Sequence, residues 1–244
     1  MRRIATAVAA TSLVVSGLVV ETSSAGAAAK PFTSLTPSQM LTTSIANARK
    51  VRSGTASVTA STTKFNNSQV LSVVAGGGEQ RFHQGAVSLA IRVIGSTCYV
   101  SSNAAGLELM FGVPNSNAAD KWIAIPSTNA AFVDVAVGIS FSDLLAAMTP
   151  LGKLTASKPM KLGAQTVIGI TGVVNPKAQL TSGKETVYLS TTAPYLPVKE
   201  VATGTEASSG GKGTVTYIVS KWGATKVPAV PSPVTQISAT DLQG

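Results

Sequence analysis

Apolar residues first recur at helical spacing. After Thr36 and Pro37, the residues Met40, Leu41, Ile45, Ala48 and Val51 form one stripe, which predicts an amphipathic helix that needs a partner. Thr36 suits the N-cap and Pro37 the first helical position, where a missing N–H costs nothing. Arg49, Lys50 and Arg52 close the last turn, and Gly54 follows it. The period then falls to two. Residues 55–63 are rich in Thr and Val, and residues 70–75 run through Gly76, Gly77 and Gly78 into 80–83, as in a hairpin. Residues 86–94 alternate most clearly, with Val87, Leu89, Ile91 and Val93 on one face and Ser88 and Arg92 on the other. Gly95 and Ser96 turn the chain into 97–101.

The middle changes character. Residues 103–112 have helical spacing and gather Leu107, Met110 and Phe111, while 121–126 form a short strand ended by Pro126. Residues 130–137 are a candidate helix against which three valines argue. Residues 140–148 make a stronger one, capped by Ser140 or Ser142, carrying Leu144, Leu145 and Met148, and stopped by Pro150 and Gly152. Five strands follow, at 160–162, 165–174, 185–190, 197–205 and 212–221. Residues 191–196 read as a hairpin loop with Pro194 inside it and Pro197 opening the next strand, because proline has no N–H for a ladder. The connections are too short for parallel crossovers, so the strands should form an antiparallel meander. The proline-rich stretch 227–233 should be extended and cannot be a central strand. The expected class is α+β, one antiparallel sheet covered on one side by helices.

Arg2 and Arg3 precede a mostly apolar run, 4–20, and three alanines at 27–29 precede Lys30. This pattern predicts a secretory signal peptide over 1–29, then a linker at 30–36, a domain at 37–233 and a tail at 234–244. The mature chain should be exported and soluble, in the cell envelope or beyond it. Cys98 is the sole cysteine, so intramolecular disulfides are excluded, as is a lipid anchor through a cysteine at the cleavage site. Its alternating context, TCYVS, suggests a small buried apolar residue.

The net charge is +9, and without residues 1–29 seventeen basic residues face nine acidic ones. The basic residues are dispersed except at 49–52, where a helix C-terminus explains them. Aromatic residues are few and not interleaved with basic ones, which argues against a nucleic-acid partner. Weak attraction to anionic envelope polymers or headgroups is the expectation.

Catalytic patterns are missing. His83 is the one histidine, and no G-x-S-x-G marks a nucleophile. Exposure in a strand is its simpler reading. The S-x-x-K matches at Ser61–Lys64 and Ser209–Lys212 lack their companion elements. Gly211-Lys212-Gly213-Thr214 lacks the upstream glycine of a phosphate loop and opens a strand. Asp120, Asp134 and Asp143 read as loop or helix-end charges that form no acid–base pair. No metal-ligand spacing occurs, and the expectation is a protein without enzyme activity, metal or cofactor. What remains is apolar surface: Val87/Leu89/Ile91/Val93, Ile168/Ile170 and Val215/Tyr217/Val219. Two readings stay open. One is an ordinary core sealed by helices. The other is a sheet curved around a cavity, with 103–112 and 140–148 as a partial lid and Gly169 and Gly172 leaving room for a ligand.

Three segments carry a resemblance: LTTSIANARKVRSGTASVTAS, YVSSNAAGLELMFGVPNSNAADKWIAIP, and YLPVKEV followed by TVTYIVSKWGATKVPAVPSP. Together they span most of 41–233. In them the chain resembles actinobacterial members of the LolA-like superfamily, the lipoprotein-carrier fold of the LppX-LprG type. The resemblance implies an open half-barrel with helices on its concave side and a hydrophobic cavity for acyl chains. It also implies carriage of a lipid, a glycolipid or lipoprotein acyl chains, without catalysis. The lipobox cysteine of the anchored relatives is absent here, so a secreted member could instead sequester lipid, or act as a sensor or adhesion domain. Residues expected to face the cavity, from alternation alone, are Leu89, Ile91, Val93, Leu107, Phe111, Leu144, Leu145, Met148, Ile168, Ile170, Val215, Tyr217 and Val219. A monomer is expected.

Overall fold

In the computed structural model, residues 30–62, 66–112, 117–176, 180–206 and 210–235 are described. The expected signal peptide, Lys64, Ser209 and most of the expected tail lie outside them. Helix α1 (Pro37–Val51) starts as its sequence requires. The Thr36 hydroxyl accepts the Gln39 N–H at 3.3 Å, and the Gln39 side chain accepts the Thr36 N–H at 3.0 Å, a reciprocal capping box. Met40, Leu41, Ile45 and Ala48 are buried, and Val51 is half-buried. The helix ends at Arg52, whose φ of 58° supplies the left-handed cap. Gly54 is therefore not the stop that the sequence suggests. It lies inside β1, where a Cβ would come 3.1 Å from the Trp222 ring. Close approach, not helix termination, requires glycine there.

The strands are β1 (Ser53–Thr62), β2 (Asn66–Val74), β3 (Gly77–Gln84), β4 (Val87–Ile94), β5 (Thr97–Ser102) and β6 (Trp122–Pro126) in the first half. The second half holds β7 (Leu151–Ala156), β8 (Met160–Leu162), β9 (Gln165–Val173), β10 (Leu180–Ser190), β11 (Pro197–Glu206), β12 (Lys212–Ser220) and β13 (Val234–Thr235). They form one open sheet in the order β13-β6-β5-β4-β3-β2-β1-β12-β11-β10-β9-β7, with β8 also on β9. Two meanders thus meet where β1 pairs with β12. In β1, buried Ala56, Val58 and Ala60 alternate with exposed Ser57, Thr59 and Ser61. That face continues across the ladder as Val219, Tyr217 and Val215.

Helices α2 (Ala104–Phe111), α3 (Ala131–Ala136) and α4 (Phe141–Ala147) interrupt the order between β5 and β7. Asn103 caps α2 and Ser140 caps α4, each accepting the backbone N–H three residues on at 3.0 Å. α1 lies against β7 and β11, α2 against β4 and β5, α3 against β4 to β6, and α4 against β2. Among the described residues, no helix is long and apolar enough to cross a membrane.

Two departures from the expected meander have physical reasons. β7 begins just where the sequence signals only a helix stop. Its residues are mostly exposed and its pairing with β9 shifts register between Leu151 and Thr155, so no two-residue apolar period marks it. β13 pairs parallel with β6, the one parallel pair among the described strands. The preceding prolines lack N–H groups and keep this segment at the edge. Arg92 holds it there: its guanidinium donates to the Ala229 carbonyl at 3.1 Å, pairs with Glu79 at 3.0 Å and covers the Trp122 ring at 4.6 Å.

The loop between Ser190 and Pro197 carries Pro194, and Pro197 opens β11 as expected. Trp222, just after β12, ties the start of β11 to α4. Its Nε1 donates to the Pro197 carbonyl at 2.8 Å, and its ring meets Phe141 of α4 edge-on at 6.1 Å.

Candidate functional site

The thirteen residues expected to face a cavity come together in one hydrophobic cluster. Ten are buried members: Ile91, Leu107, Leu144, Leu145, Met148, Ile168, Ile170, Val215, Tyr217 and Val219. Leu89, Val93 and Phe111 are partly buried and pack against them. Most of this surface therefore contacts other side chains, and parts of it border separate pockets. Gly172 illustrates the difference. A Cβ there would meet the Leu151 carbonyl at 2.5 Å and the Leu154 side chain at 2.7 Å, so β7 occupies the room that the sequence suggests for a ligand.

Two pockets flank α4. One, of about 260 Å³, is lined by Leu144 and Ala147 of the helix, by Leu71 and Tyr217 of the sheet, and by Gln69 and Gln80. Val137 and Gly138, just before α4, also line it. The other, of about 370 Å³, lies along Phe141, Leu145 and Ala146, with Arg49 and Arg52 from the end of α1 and with Thr149 and Asn175. A helix of seven residues thus supplies one wall of each.

Behind Tyr217 lies a pair of carboxyl groups that the sequence analysis misses. Glu200 of β11 is opposite Tyr217 of β12 on one side and Val187 of β10 on the other, while Glu185 is opposite Ala202. The two glutamates are therefore diagonal neighbours on the buried face, with Cβ atoms about 7 Å apart by ladder geometry. Both are fully buried. Glu185 Oε2 accepts the Asn175 N–H at 2.8 Å, but among the described residues Glu185 Oε1 and both Glu200 oxygens lack a hydrogen bond of ordinary geometry, the Tyr217 backbone N–H being only near enough to Glu200 to favour its charged form. Burial first, and then the charge of nearby Glu185, push the Glu200 carboxyl up to about 9 against the pull of the Tyr217 backbone N–H. Burial pushes Glu185 up to about 7, partly offset by the Asn175 N–H. The Tyr217 phenol is raised by burial and then by the two carboxyls. At neutral pH Glu200 carries its proton. Carboxyls with values driven apart suit acid–base chemistry. Here, however, neither lines the two pockets beside α4, and Tyr217 stands between Glu200 and the smaller of them.

His83 is exposed on β3, directly opposite Ser88 of β4, as the simpler sequence reading has it. It shares a polar pocket of about 180 Å³ with Ser88, Ser101, Ser102 and Asp120. Among the described residues no hydrogen bond joins its ring to a hydroxyl or carboxylate, so the nucleophile–base–orienter chain of a hydrolase is not assembled. Asp134 lies in α3 and Asp143 in the first turn of α4, where its carboxylate accepts the Ser140 hydroxyl at 2.7 Å. Lys212 opens β12 and no helix follows it. Among the described residues no group of three His, Cys, Asp or Glu side chains could hold a metal ion. Cys98 is buried, which pushes its thiol up to about 12. No protein-family model matches the chain, and no curated protein matches it.

Proposed function

We propose that this is an exported, non-catalytic lipid-binding protein of the LolA-like kind. In this reading the open sheet is a half-barrel with helices on its concave side, and the interior beside α4 takes acyl chains of a lipid, a glycolipid or a lipoprotein. The observation that carries the reading is the position of α4 between two pockets, of about 260 and 370 Å³, each with an apolar wall from the core cluster. Displacing this one short helix would join them into a cleft. An acyl chain entering it gains about 0.8 kcal/mol per methylene removed from water, so ten methylenes supply roughly 8 kcal/mol, the scale of micromolar binding. The excess of basic residues suits a protein working near anionic envelope surfaces.

A second reading has its own support. Leu107, Leu144, Met148, Ile168 and Ile170 are all under 2% exposed, as in a structural or protein-interaction domain with a filled core. Lipid analysis separates the two. Protein purified from its host should yield a bound lipid on solvent extraction and mass spectrometry. Val137→Trp is the matching variant. Val137 is 66% exposed at the rim of the smaller pocket, so a bulky ring there obstructs entry without entering the core. It should weaken binding of a fatty-acid probe with an unchanged melting temperature. A lipid-free extract together with no probe binding would sink the carrier reading in favour of the filled domain.

A further inference from the structure

The larger pocket beside α4 has a chemistry that acyl binding alone leaves unused. We propose that Arg49 and Arg52 receive the phosphate group of an anionic amphiphile whose apolar part lies along Phe141, Leu145 and Ala146; the apolar half of this proposal rests on the lipid-binding reading above.

The two arginines come from the end of α1, and both guanidinium groups lack an ion-pair partner among the described residues. The ion pairs found there join Arg81 and Arg92 to Glu79, on the far side of β2 in the strand order. No carboxylate lines the pocket. Asn175, which lines the pocket, donates its backbone N–H to the Glu185 carboxyl at 2.8 Å and its side-chain amide to the Thr149 carbonyl at 3.2 Å. The other polar groups are already committed as donors. The Thr149 hydroxyl donates to the Leu145 carbonyl at 2.6 Å. Ser140 donates to Asp143, which leaves Ser142 to donate to the Ser140 oxygen at 2.8 Å. The uncommitted donors are therefore the two planar guanidinium forks, which match a tetrahedral oxyanion through paired charge-assisted hydrogen bonds. The C-terminal end of α1 gives them a favourable field but does not consume their donors. Opposite them the wall is apolar, built from Phe141, Leu145 and Ala146. A free ion has no use for that wall, and a neutral alkyl chain has none for the arginines. An alkyl phosphate uses both.

The test uses the full chain and three probes: dodecyl phosphate, dodecanol and inorganic phosphate. Binding is measured by calorimetry, and by the fluorescence of Trp222, whose ring touches Phe141 in the pocket wall. Dodecyl phosphate should bind roughly tenfold or more tighter than dodecanol, the increment expected of charge-assisted hydrogen bonds. The double variant Arg49→Gln/Arg52→Gln should erase that increment and leave dodecanol binding unchanged, while Arg→Lys at both positions restores part of it. Lys50→Gln removes one charge from the same helix end but no pocket residue, and should change affinity by no more than about twofold. Equal binding of both dodecyl probes, indifferent to the arginines, would overturn the phosphate site and leave the lipid reading standing. A loss in Lys50→Gln as large as in the double variant would also overturn it, in favour of diffuse charge. Arginine-dependent binding of inorganic phosphate with no binding of either dodecyl probe would uphold the phosphate site and end its lipid half. Silence from all three probes ends both.

Discussion

Alkaline conditions should weaken this fold, and the buried carboxyl pair sets by how much. The perturbation is a rise from about pH 5 to about pH 8, across which the folded and unfolded chains hold different numbers of protons. Glu200 titrates at about 9 in the folded protein and Glu185 at about 7, against an ordinary value of 4.5. Raised carboxyl values mean that the folded state keeps protons which the unfolded state releases. The stabilisation from those protons is complete below 4.5, falls as the pH passes through 7 for Glu185, and is gone above 9 for Glu200. Each retained proton corresponds to roughly 1.4 kcal/mol per pH unit. Two protons act over the lower part of the range and one over the upper part, so the loss is roughly 6 kcal/mol. That is a large share of the stability of a single domain.

Urea unfolding followed by the fluorescence of Trp122 and Trp222 measures this directly, with the midpoint recorded at each pH. The midpoint should fall steadily as the pH rises. Glu200→Gln replaces the titrating group by a neutral one of the same shape, so its midpoint should fall less steeply and exceed that of the unaltered protein at the alkaline end. Glu185→Gln should flatten only the more acidic part. A midpoint that stays level or climbs over this range, or a Glu200→Gln variant with an unaltered slope, would refute the assignment of the pH dependence to this pair.

Two smaller perturbations test the contacts that organise the fold. Gly54→Ala places a Cβ 3.1 Å from the Trp222 ring, so the indole must shift against Phe141 and Pro197; a loss of roughly 1–2 kcal/mol in urea unfolding is expected, with a shift of the tryptophan emission. Arg92→Ala removes the cation from the Trp122 ring and the hydrogen bond to Ala229, so proteolysis near residues 223–233 should accelerate while global stability changes by about 1 kcal/mol or less.

What was legible in the sequence follows from where each element buries its side chains. β1, β5, β12 and the later part of β10 alternate buried residues with more exposed ones, and there a period of two survives in the residue order. α1 carries its N-cap, its stripe and its basic last turn in plain succession. β7 carries none of these signals, because an exposed edge strand with a register shift has no face to bury. The start of β10 hides similarly: Thr181, Ser182, Gly183 and Lys184 are exposed, and the apolar alternation begins only at Val187. Gly54 misleads because a glycine after a helix usually serves as its cap. Its true constraint, the Trp222 ring, lies at the other end of the chain.

The candidate site was legible by face but not by chemistry. Alternation placed Ile168, Ile170, Val215, Tyr217 and Val219 on a common surface, since an antiparallel register keeps in-phase residues on one side of a sheet. The same rule held the buried carboxyls in view. Glu185 is in phase with Val187 and Leu189, and Glu200 with Ala202, so each charge falls where the pattern demands an apolar residue. A charged residue out of place in an alternating strand has two explanations from sequence alone: a slipped register, or a buried ionisable group. Only the ladder decides, because a one-residue slip would also expose Val187 and Leu189, and both are fully buried. Arg49 and Arg52 pose the converse problem. A helix C-terminus accounts for their charge completely, and nothing nearby in sequence hints at the wall of Phe141, Leu145 and Ala146 that turns the helix end into a pocket. A local rule that already explains a residue hides whatever the tertiary contacts add to it, so the double arginine variant, judged against Lys50→Gln, is the experiment that separates the helix end from the pocket.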